Sequence, residues 1–226
     1  MDKTRIEHIK TDNMLDLSKS IAGDFISQYE FPWQVLCNIG DIIKQLIQGL
    51  SLDEYDQYSN DVWISKSADV AKSAIIGGPT IIDHGAEVRH CAYIRGNAIV
   101  GRDCVVGNST ELKNVILFND VQVPHYNYVG DSILGYKSHM GAGAITSNMK
   151  SDKSLIKLNL GDHKEETGLR KFGAIIGDHV EIGCNSVLNP GTIVGKNTNI
   201  YPLVAVRGYV PSNSILKCTG EIVTKK

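Results

Sequence analysis

A six-residue period in apolar side chains is the feature that most constrains the fold of this chain. A small or β-branched residue stands two positions before each apolar one, from Ala68 to Thr110. Neither the 3.6-residue period of a helix nor the two-residue period of a strand accounts for this spacing. Residues two apart in an extended segment point the same way, so each hexad sends one large and one small side chain inward and then turns. The apolar positions are Ile64, Val70, Ile76, Ile82, Val88, Ile94, Val100, Val106, Leu112 and Phe118.

Three such hexads close a triangular coil, and stacked coils form a parallel β-helix, for which hexapeptide repeats are a known signature. The period resumes at Leu134, Met140 and Thr146, and again from Ile176 through Val206. About six coils of an all-β domain are therefore predicted. Glycine or asparagine directly after an apolar position, as at Gly101, is predicted to supply permissive backbone at the corners. The glycines and asparagine concerned are Gly77, Gly101, Gly107, Gly135, Gly141, Gly177, Gly183, Asn189 and Gly195.

The pattern divides the chain into a short helical N-terminal segment with a linker, residues 1–62, and a β-helix domain, residues 63–226. Pro32 suits the first turn of a helix that carries an apolar stripe from Trp33 to Leu50. The polar stretch 51–60 is interpreted as the linker. Residues 149–173 interrupt the period and predict an excursion from one corner, with a strand at 155–160 and a turn at Gly161-Asp162. Loops of this length in a compact domain are typically functional or disordered.

Composition excludes several classes of function. The net charge of −2 offers no basic field for nucleic acid, and we expect no nucleic-acid partner. No apolar run is long enough to cross a bilayer, and the N-terminus lacks the apolar core of a signal peptide. The five cysteines are scattered and form no C-x-x-C pair, which argues against a zinc knuckle or a disulfide framework. A cytoplasmic setting without a membrane partner is expected.

The stretch 122–131 is interpreted as a break in the repeat, because Pro124 and Gly130 stand where apolar residues are due. A sequence that follows one rule this strictly tends to violate it at a functional or strained site. His125 and Tyr128 lie in this break, and His125 is the candidate general base. A lone histidine in a turn is more often structural or simply exposed, and Tyr126 or Tyr128 could pack inward.

Two cations are predicted to stack on the same side of adjacent coils. Arg95 and Lys113 are eighteen residues apart, which is one full coil of three hexads. They could bind a phosphate, with Lys157 of the excursion as a third cation, or they could form a solvated charged face. The backbone N–H groups of Gly141-Ala142-Gly143 are candidate donors to an oxyanion.

The repeat together with these residues resembles the left-handed β-helix acyltransferases. It is most similar to the acetyltransferase half of the bifunctional glucosamine-1-phosphate acetyltransferase and N-acetylglucosamine-1-phosphate uridyltransferase, in its archaeal and thermophile forms. The motifs that carry the resemblance are YIRGNAIVG at 93–101, ELKN at 111–114, HYNYVGDSILG at 125–135, GAGAITSN at 141–148 and TGLRKFGAIIGDHVEIG at 167–183. No glycine-rich nucleotide loop of the uridyltransferase half is found in residues 1–62.

The resemblance implies an acetyl-CoA-dependent N-acetyltransferase of UDP-N-acetylglucosamine biosynthesis, with glucosamine 1-phosphate as the acceptor. It also implies a left-handed helix and a homotrimer with the site between subunits. Applied residue by residue, it makes His125 the base. It assigns acceptor binding to Arg95, Lys113, Tyr128 and Asn148, with His139 where the family has asparagine, and acetyl-CoA contacts to Ala142 and Cys184. Cys184 by itself is more typical of a packing residue than of a nucleophile.

Three alternatives remain open at this point. The acceptor could be a different amino sugar, since His139 departs from the family pattern. The chain could be a non-catalytic β-helix that acts as scaffold or regulatory partner of a nucleotidyltransferase. A zinc enzyme is the third, because some trimeric β-helices bind zinc through histidines, and His84 and His90 are one hexad apart. No metal site is expected from the spacing of the histidines.

Overall fold

In the computed structural model, which describes residues 3–159 and 164–225, the chain winds into a parallel β-solenoid of about eight turns. The all-β class and the hexad coil are confirmed. The number of turns exceeds the predicted six, because the stretch interpreted as a break and the residues after Val206 also belong to coils. The inward residues are buried as expected, both the large ones such as Val100 and the small ones such as Ala98. Each coil is triangular, and its three flat faces differ in what they expose.

The isoleucine face carries an outward-pointing ladder of isoleucines on neighbouring coils. Ile81, Ile99, Ile116, Ile133, Ile175 and Ile193 are in register from coil to coil. All six are essentially inaccessible to solvent although they point away from the column. The strands of this face are Val62–Ser65, Thr80–Ile82, Ala98–Val100, the second halves of Glu111–Leu117 and Tyr128–Leu134, Ala174–Ile176, Thr192–Val194 and Tyr209–Val210.

The N-terminal segment covers this face. Its longest helix lies against the strands Thr80–Ile82, Ala98–Val100 and Glu111–Leu117, and the turn Pro32–Cys37 lies against Tyr128–Leu134. Trp33 stacks on Phe172 with ring centroids 6.2 Å apart. The segment and the column therefore share one hydrophobic core. Its α-helices are Lys3–His8, Thr11–Met14, Gly23–Ile26 and Ile39–Ile47, and its 3-10 turns are Leu17–Lys19 and Pro32–Cys37.

Two details of the N-terminal prediction were wrong. The expected helix after Phe31 is a 3-10 turn followed by a separate helix that ends at Ile47. The expected linker contains the strand Tyr55–Ser59, which pairs antiparallel with Val62–Ser65. Its polar residues misled the interpretation because this strand has only one buried side chain, Tyr55. An antiparallel strand at each end of the column, here and at Ile222–Thr224, alters the exposed edge of the parallel stack.

The polar face points hydrophilic side chains outward, among them Asp69, Glu87, Gln122, His139 and Glu181. Its strands are Asp69–Val70, Glu87–Val88, Val105–Asn108, Gln122–His125, His139–Met140, Glu181–Ile182, Asn199–Ile200 and Ser214–Leu216.

The open face has a mostly apolar outward row that no other part of the described chain covers as the isoleucine face is covered. The row runs through Ile75, Tyr93, Glu111, Tyr128, Ile145, Val187 and Ala205. Its strands are Ile75–Ile76, Tyr93–Ile94, the first halves of Glu111–Leu117 and Tyr128–Leu134, Ile145–Thr146, Val187–Leu188 and Ala205–Val206.

The break predicted at 122–131 is a phase shift, and the coil continues through it. Val115 pairs with Ala98 and Ser132 pairs with Val115, so each of these two coils advances by seventeen residues instead of eighteen. One residue is lost at each of two stacked corners between the open and isoleucine faces. Leu117 therefore takes the inward position that the period assigns to Phe118.

The prediction that glycine after an apolar position supplies permissive backbone at the corners was wrong. The left-handed backbone falls on residues such as Asp103, Ser109, Asn114 and Asp120, while Gly101 has no positive φ. A Cβ at Gly101 would lie 2.8 Å from the carbonyl oxygen of Leu117 on the next coil. Glycine after the apolar position is therefore needed for close approach of neighbouring coils.

The excursion at 149–173 leaves the column at the corner between the open and isoleucine faces. An excursion from one corner was predicted. It contains an antiparallel hairpin of Lys157–Asn159 and Lys164–Glu166. The turn predicted at Gly161-Asp162 lies outside the described residues. Ile156 and Leu158 are buried and face Gly191 of a following coil, so the hairpin lies back against the column. Among the described helices, none has the length and apolarity required to span a membrane.

We expect Ile99→Ala to lower the free energy of unfolding by about 2–4 kcal/mol, because it opens a cavity between the N-terminal segment and the column. Chemical denaturation monitored by circular dichroism measures this. Leu52→Ala, at an exposed position, is the control and should change stability by less than about 0.5 kcal/mol. Equal small effects of both substitutions would show that the isoleucine face is not covered in solution.

Candidate functional site

His125, Ala142 and Cys184 occupy one corner on three successive coils. The N–H of Gly143 donates to the carbonyl of His125 at 3.0 Å, and the N–H of Asn185 donates to the carbonyl of Ala142 at 2.9 Å. We call this the histidine corner; it joins the polar face to the open face. The candidate base and the two residues expected to contact the cofactor therefore lie in one vertical row, and the His125 side chain is exposed.

A buried amide fixes the histidine corner. Asn127 donates from Nδ2 to the carbonyls of Gly141 and Ala144 at 2.9 and 3.0 Å. Its Oδ1 accepts the backbone N–H of His125 at 3.1 Å. Sequence reasoning did not assign this residue a role, although it stands two positions before Val129, where other coils have a small inward side chain. A polar residue at an inward position of the repeat was the sequence signal that could have identified Asn127.

The proposed oxyanion donors are only partly compatible with the structure. The N–H of Gly141 donates to the carbonyl of Ile182 at 2.7 Å, and that of Gly143 donates to His125. Both groups are therefore committed to pairing between coils. The expectation that these two amides stabilise an oxyanion was wrong, because coil stacking uses the same donors.

A second cluster lies at the opposite end of the open face, where that face joins the isoleucine face. We call it the lysine corner. Lys113 Nζ donates to Oδ1 and Oδ2 of Asp131 at 2.9 and 3.1 Å. Asn148 Nδ2 donates to Asp131 Oδ2 at 2.5 Å and to the Tyr128 hydroxyl at 3.2 Å. Asn114 Nδ2 donates to Asp131 Oδ1 and to the carbonyl of Leu36, both at 3.0 Å. The structure thus joins Lys113 and Asn148 through one carboxylate, and Tyr128 is joined to them through the amide of Asn148.

Arg95 lies one coil before Lys113 on the same corner, as the eighteen-residue spacing predicts. Its Nη1 donates to Glu111 Oε1 at 2.9 Å. Each of the two stacked cations therefore has a carboxylate partner. Glu111 and Asp131 were not identified from the sequence, where only the cations were considered.

Tyr128 stands between the two corners on the outward row of the open face. Burial raises the pKa of its hydroxyl, and the nearby negative charges of Asp131 and Glu111 raise it further. The phenol therefore keeps its proton at neutral pH and is available as a hydrogen-bond donor to a ligand oxygen.

The remaining predicted residues lie apart from these two corners within one chain. His139 is on the polar face and pairs with Glu181 at 2.8 Å between Nδ1 and Oε2. Lys157 is on the hairpin and pairs with Glu166. Within a single chain the two corners are also apart, because the width of the open face separates His125 from Lys113.

Among the described residues, no group of three or more histidine, cysteine or acidic side chains is arranged to hold a metal ion. His84 contacts Asp83, and His90 contacts Ser73 Oγ at 2.5 Å. The two histidines considered for zinc lie at different corners of the column.

Comparison with known proteins locates the similarity in the coils that carry the two corners. Residues 76–156 match the family model described as the GMPPB C-terminal domain. The bifunctional protein GlmU of Methanococcus vannielii is 37% identical over 119 residues, which are 53% of this chain and 28% of that protein. A bifunctional sugar-1-phosphate nucleotidylyltransferase/acetyltransferase of Sulfurisphaera tokodaii is 36% identical over 94 residues, 42% of this chain and 23% of that protein.

The predicted resemblance to hexapeptide-repeat acyltransferases is confirmed at the level of sequence similarity. This chain spans less than a third of the length of these curated relatives. Among solved structures, a hexapeptide transferase family protein of Anaplasma phagocytophilum has a TM-score of 0.41 at 14% identity, covering 73% of this chain and 80% of that one. Perosamine N-acetyltransferase of Caulobacter crescentus, in complex with CoA and GDP-perosamine, has a TM-score of 0.31 at 16% identity, covering 72% and 56%.

Replacing Asn127 by alanine should lower the free energy of unfolding by about 2–4 kcal/mol, because two buried carbonyls and one N–H lose their partner. Urea denaturation measures the change. Asn108→Ala, which removes an exposed bond to the carbonyl of His90 one coil earlier on the same corner, is the control and should cost less than about 1 kcal/mol. A loss no larger for Asn127 than for Asn108 would contradict the anchoring role.

Proposed function

We propose that this chain is an acetyl-CoA-dependent N-acetyltransferase that acts on an amino sugar phosphate, with glucosamine 1-phosphate as the expected acceptor. One observation carries the proposal: His125, Ala142 and Cys184 share one corner, Lys113 and Asn148 share the corner at the other edge of the same face, and Tyr128 on that face contacts Asn148. Sequence similarity to bifunctional GlmU proteins supports it. GDP-perosamine, named in the perosamine N-acetyltransferase complex, is also an amino sugar derivative.

The three faces favour a homotrimer in which the site is completed between copies. The isoleucine face is covered by the chain itself, and the polar face suits contact with water. The open face exposes 65% of Ile75 and 46% of Tyr93, so it is the surface suited to self-association. Three triangular columns around a threefold axis, each with its open face inward, bring the histidine corner of one copy against the lysine corner of the next. A ring of such head-to-tail contacts closes after three copies.

In that arrangement each corner has a chemical task. The lysine corner holds the acceptor through its phosphate and hydroxyls, since lysine and arginine supply charge and Tyr128 and Asn148 supply hydrogen bonds. His125 of the neighbouring copy takes a proton from the acceptor nitrogen as that nitrogen attacks the acetyl carbonyl. Breaking the carbon–sulfur bond releases coenzyme A as a thiolate, which takes the proton held by His125 and leaves as the thiol. Ala142 and Cys184 border the path along which the acetyl donor lies on the histidine corner.

A second candidate is a non-catalytic β-helix that partners a nucleotidyltransferase. One relative's name supports it, because that name combines a nucleotidylyltransferase with an acetyltransferase. The pairing of Arg95 and Lys113 with carboxylates is also compatible with a purely structural corner. Calorimetric titration with coenzyme A separates the two candidates, because a non-catalytic partner should show no binding.

The test is a transfer assay with acetyl-CoA and glucosamine 1-phosphate, followed through the free thiol. We expect His125→Ala to lower the rate by about 10²- to 10⁴-fold if this histidine is the base. His90→Ala is the matched control, because His90 occupies the same corner two coils earlier. It should leave the rate unchanged within about twofold, as for a surface substitution.

An active wild type with an unaffected His125→Ala variant would remove the assigned base. A wild type that releases no thiol with any of a panel of amino sugar phosphates and nucleotide-linked amino sugars would refute the enzymatic proposal. The same panel identifies the acceptor. The sequence does not decide between amino sugars, because His139 stands where the family has asparagine.

A further inference from the structure

The lysine corner is built around a buried carboxylate that has no role in the chemistry described above. Asp131 is only 4% exposed and has a left-handed backbone with φ of 48°. Its two oxygens accept from Lys113 Nζ, Asn114 Nδ2 and Asn148 Nδ2. Its carbonyl accepts the N–H of Gly173, where the excursion rejoins the column. The carboxylate therefore connects two residues of the proposed acceptor pocket to each other and to Asn114, and the backbone of the same residue contacts the end of the excursion.

The position of Asp131 results from the shortened coils. It stands at the second of the two corners that lose a residue, and Asn114 stands at the first. Shortening keeps Glu111–Leu117 and Tyr128–Leu134 continuous across the corner, which lets Lys113 pair with Gly130 in the ladder. The carboxylate of Asp131, one residue after Gly130, thus lies within reach of the ammonium group of Lys113 on the preceding coil.

Burial prevents Asp131 from contacting a ligand itself, whereas Lys113 remains reachable. The Lys113 side chain is 25% exposed and that of Asp131 is 6% exposed. An ammonium group carries three N–H donors, so Lys113 retains capacity for a ligand oxygen while it is held. Asn148 is held by the same carboxylate, and its amide also contacts the Tyr128 hydroxyl.

We infer that Asp131 is a positioning residue, which fixes Lys113 and Asn148 in the geometry that binds the anionic group of the acceptor. This inference rests on the proposed function, because it assigns the acceptor to the lysine corner. It predicts that loss of the carboxylate impairs acceptor binding more than it impairs the transfer step.

The experiment compares Asp131→Asn, which preserves size, with wild type in the transfer assay and in calorimetric binding of glucosamine 1-phosphate. We expect KM and Kd for the acceptor to rise by about 10- to 100-fold, with KM for acetyl-CoA unchanged and kcat reduced less than tenfold. Lys113→Met should raise the acceptor KM to a similar extent. The double variant should be little worse than either single one, because both changes remove the same interaction.

Asp178→Asn is the matched control. Asp178 is 3% exposed and also accepts from a lysine, Lys196, at 3.0 Å, but it lies at a different corner, where it holds the backbone N–H of Asp16 and Tyr136. This substitution should lower the melting temperature and leave the acceptor KM unchanged. A structural role of Asp131 would make the two variants alike in both measurements.

The outcomes separate the inference from the proposed function. An active wild type together with an Asp131→Asn variant of normal acceptor KM overturns the inference alone. Additive losses in the double variant also overturn it. A wild type that neither binds nor acetylates any amino sugar phosphate overturns the proposed function and the inference together.

Discussion

Pairing of each coil with the coils before and after it is the constraint on which the rest of this structure depends. A coil that advances by eighteen residues repeats its corners in vertical rows, and each row brings together residues far apart in sequence. His125, Ala142 and Cys184 meet in this way, as do Arg95 and Lys113. The same pairing commits the N–H groups of Gly141 and Gly143, so coil stacking also limits which backbone donors are free for chemistry.

The three faces of the column divide the tasks that a triangular solenoid must perform. A ladder of six isoleucines gives the N-terminal segment an apolar surface on which to pack, and the helix there approaches closely enough that a Cβ at Gly40 would lie 2.6 Å from Asn97 Oδ1. The polar face needs no cover. That leaves the open face, with the histidine corner at one edge and the lysine corner at the other, as the surface that our proposal assigns to neighbouring copies.

Local periodicity allowed the column and its vertical rows to be predicted, because large and small inward residues alternate in the sequence with little exception. The position of the phase shift could not be predicted, because Phe118 is apolar and therefore fits the six-residue period. In the structure Leu117, and not Phe118, takes the inward position. The cover on the isoleucine face was also missed. An apolar residue directly before the inward one, recurring at 81, 99, 116, 133, 175 and 193, was the available signal.

The candidate site was predicted less completely than the fold. Spacing alone placed Arg95 and Lys113 on one corner, but it gave no reason to expect their carboxylate partners. Glu111 lies two residues before Lys113, yet its bond to Arg95 depends on coil register, and Asp131 contacts Lys113 at a shortened corner that the six-residue period does not predict. Asn127 is a similar case, since an asparagine in a turn region is usually interpreted as a turn residue.

Subunit complementation tests most directly the central claim that the two corners meet between copies. His125→Ala and Lys113→Met are unfolded together and refolded as an equimolar mixture, and acetyl transfer is measured at an acceptor concentration well below the raised KM of Lys113→Met, where each variant alone is nearly inactive. Our account predicts that activity returns to about one quarter of the wild-type rate, because one interface in four then pairs an intact histidine corner with an intact lysine corner. Mixed trimers that show no activity above the two separate variants would contradict it.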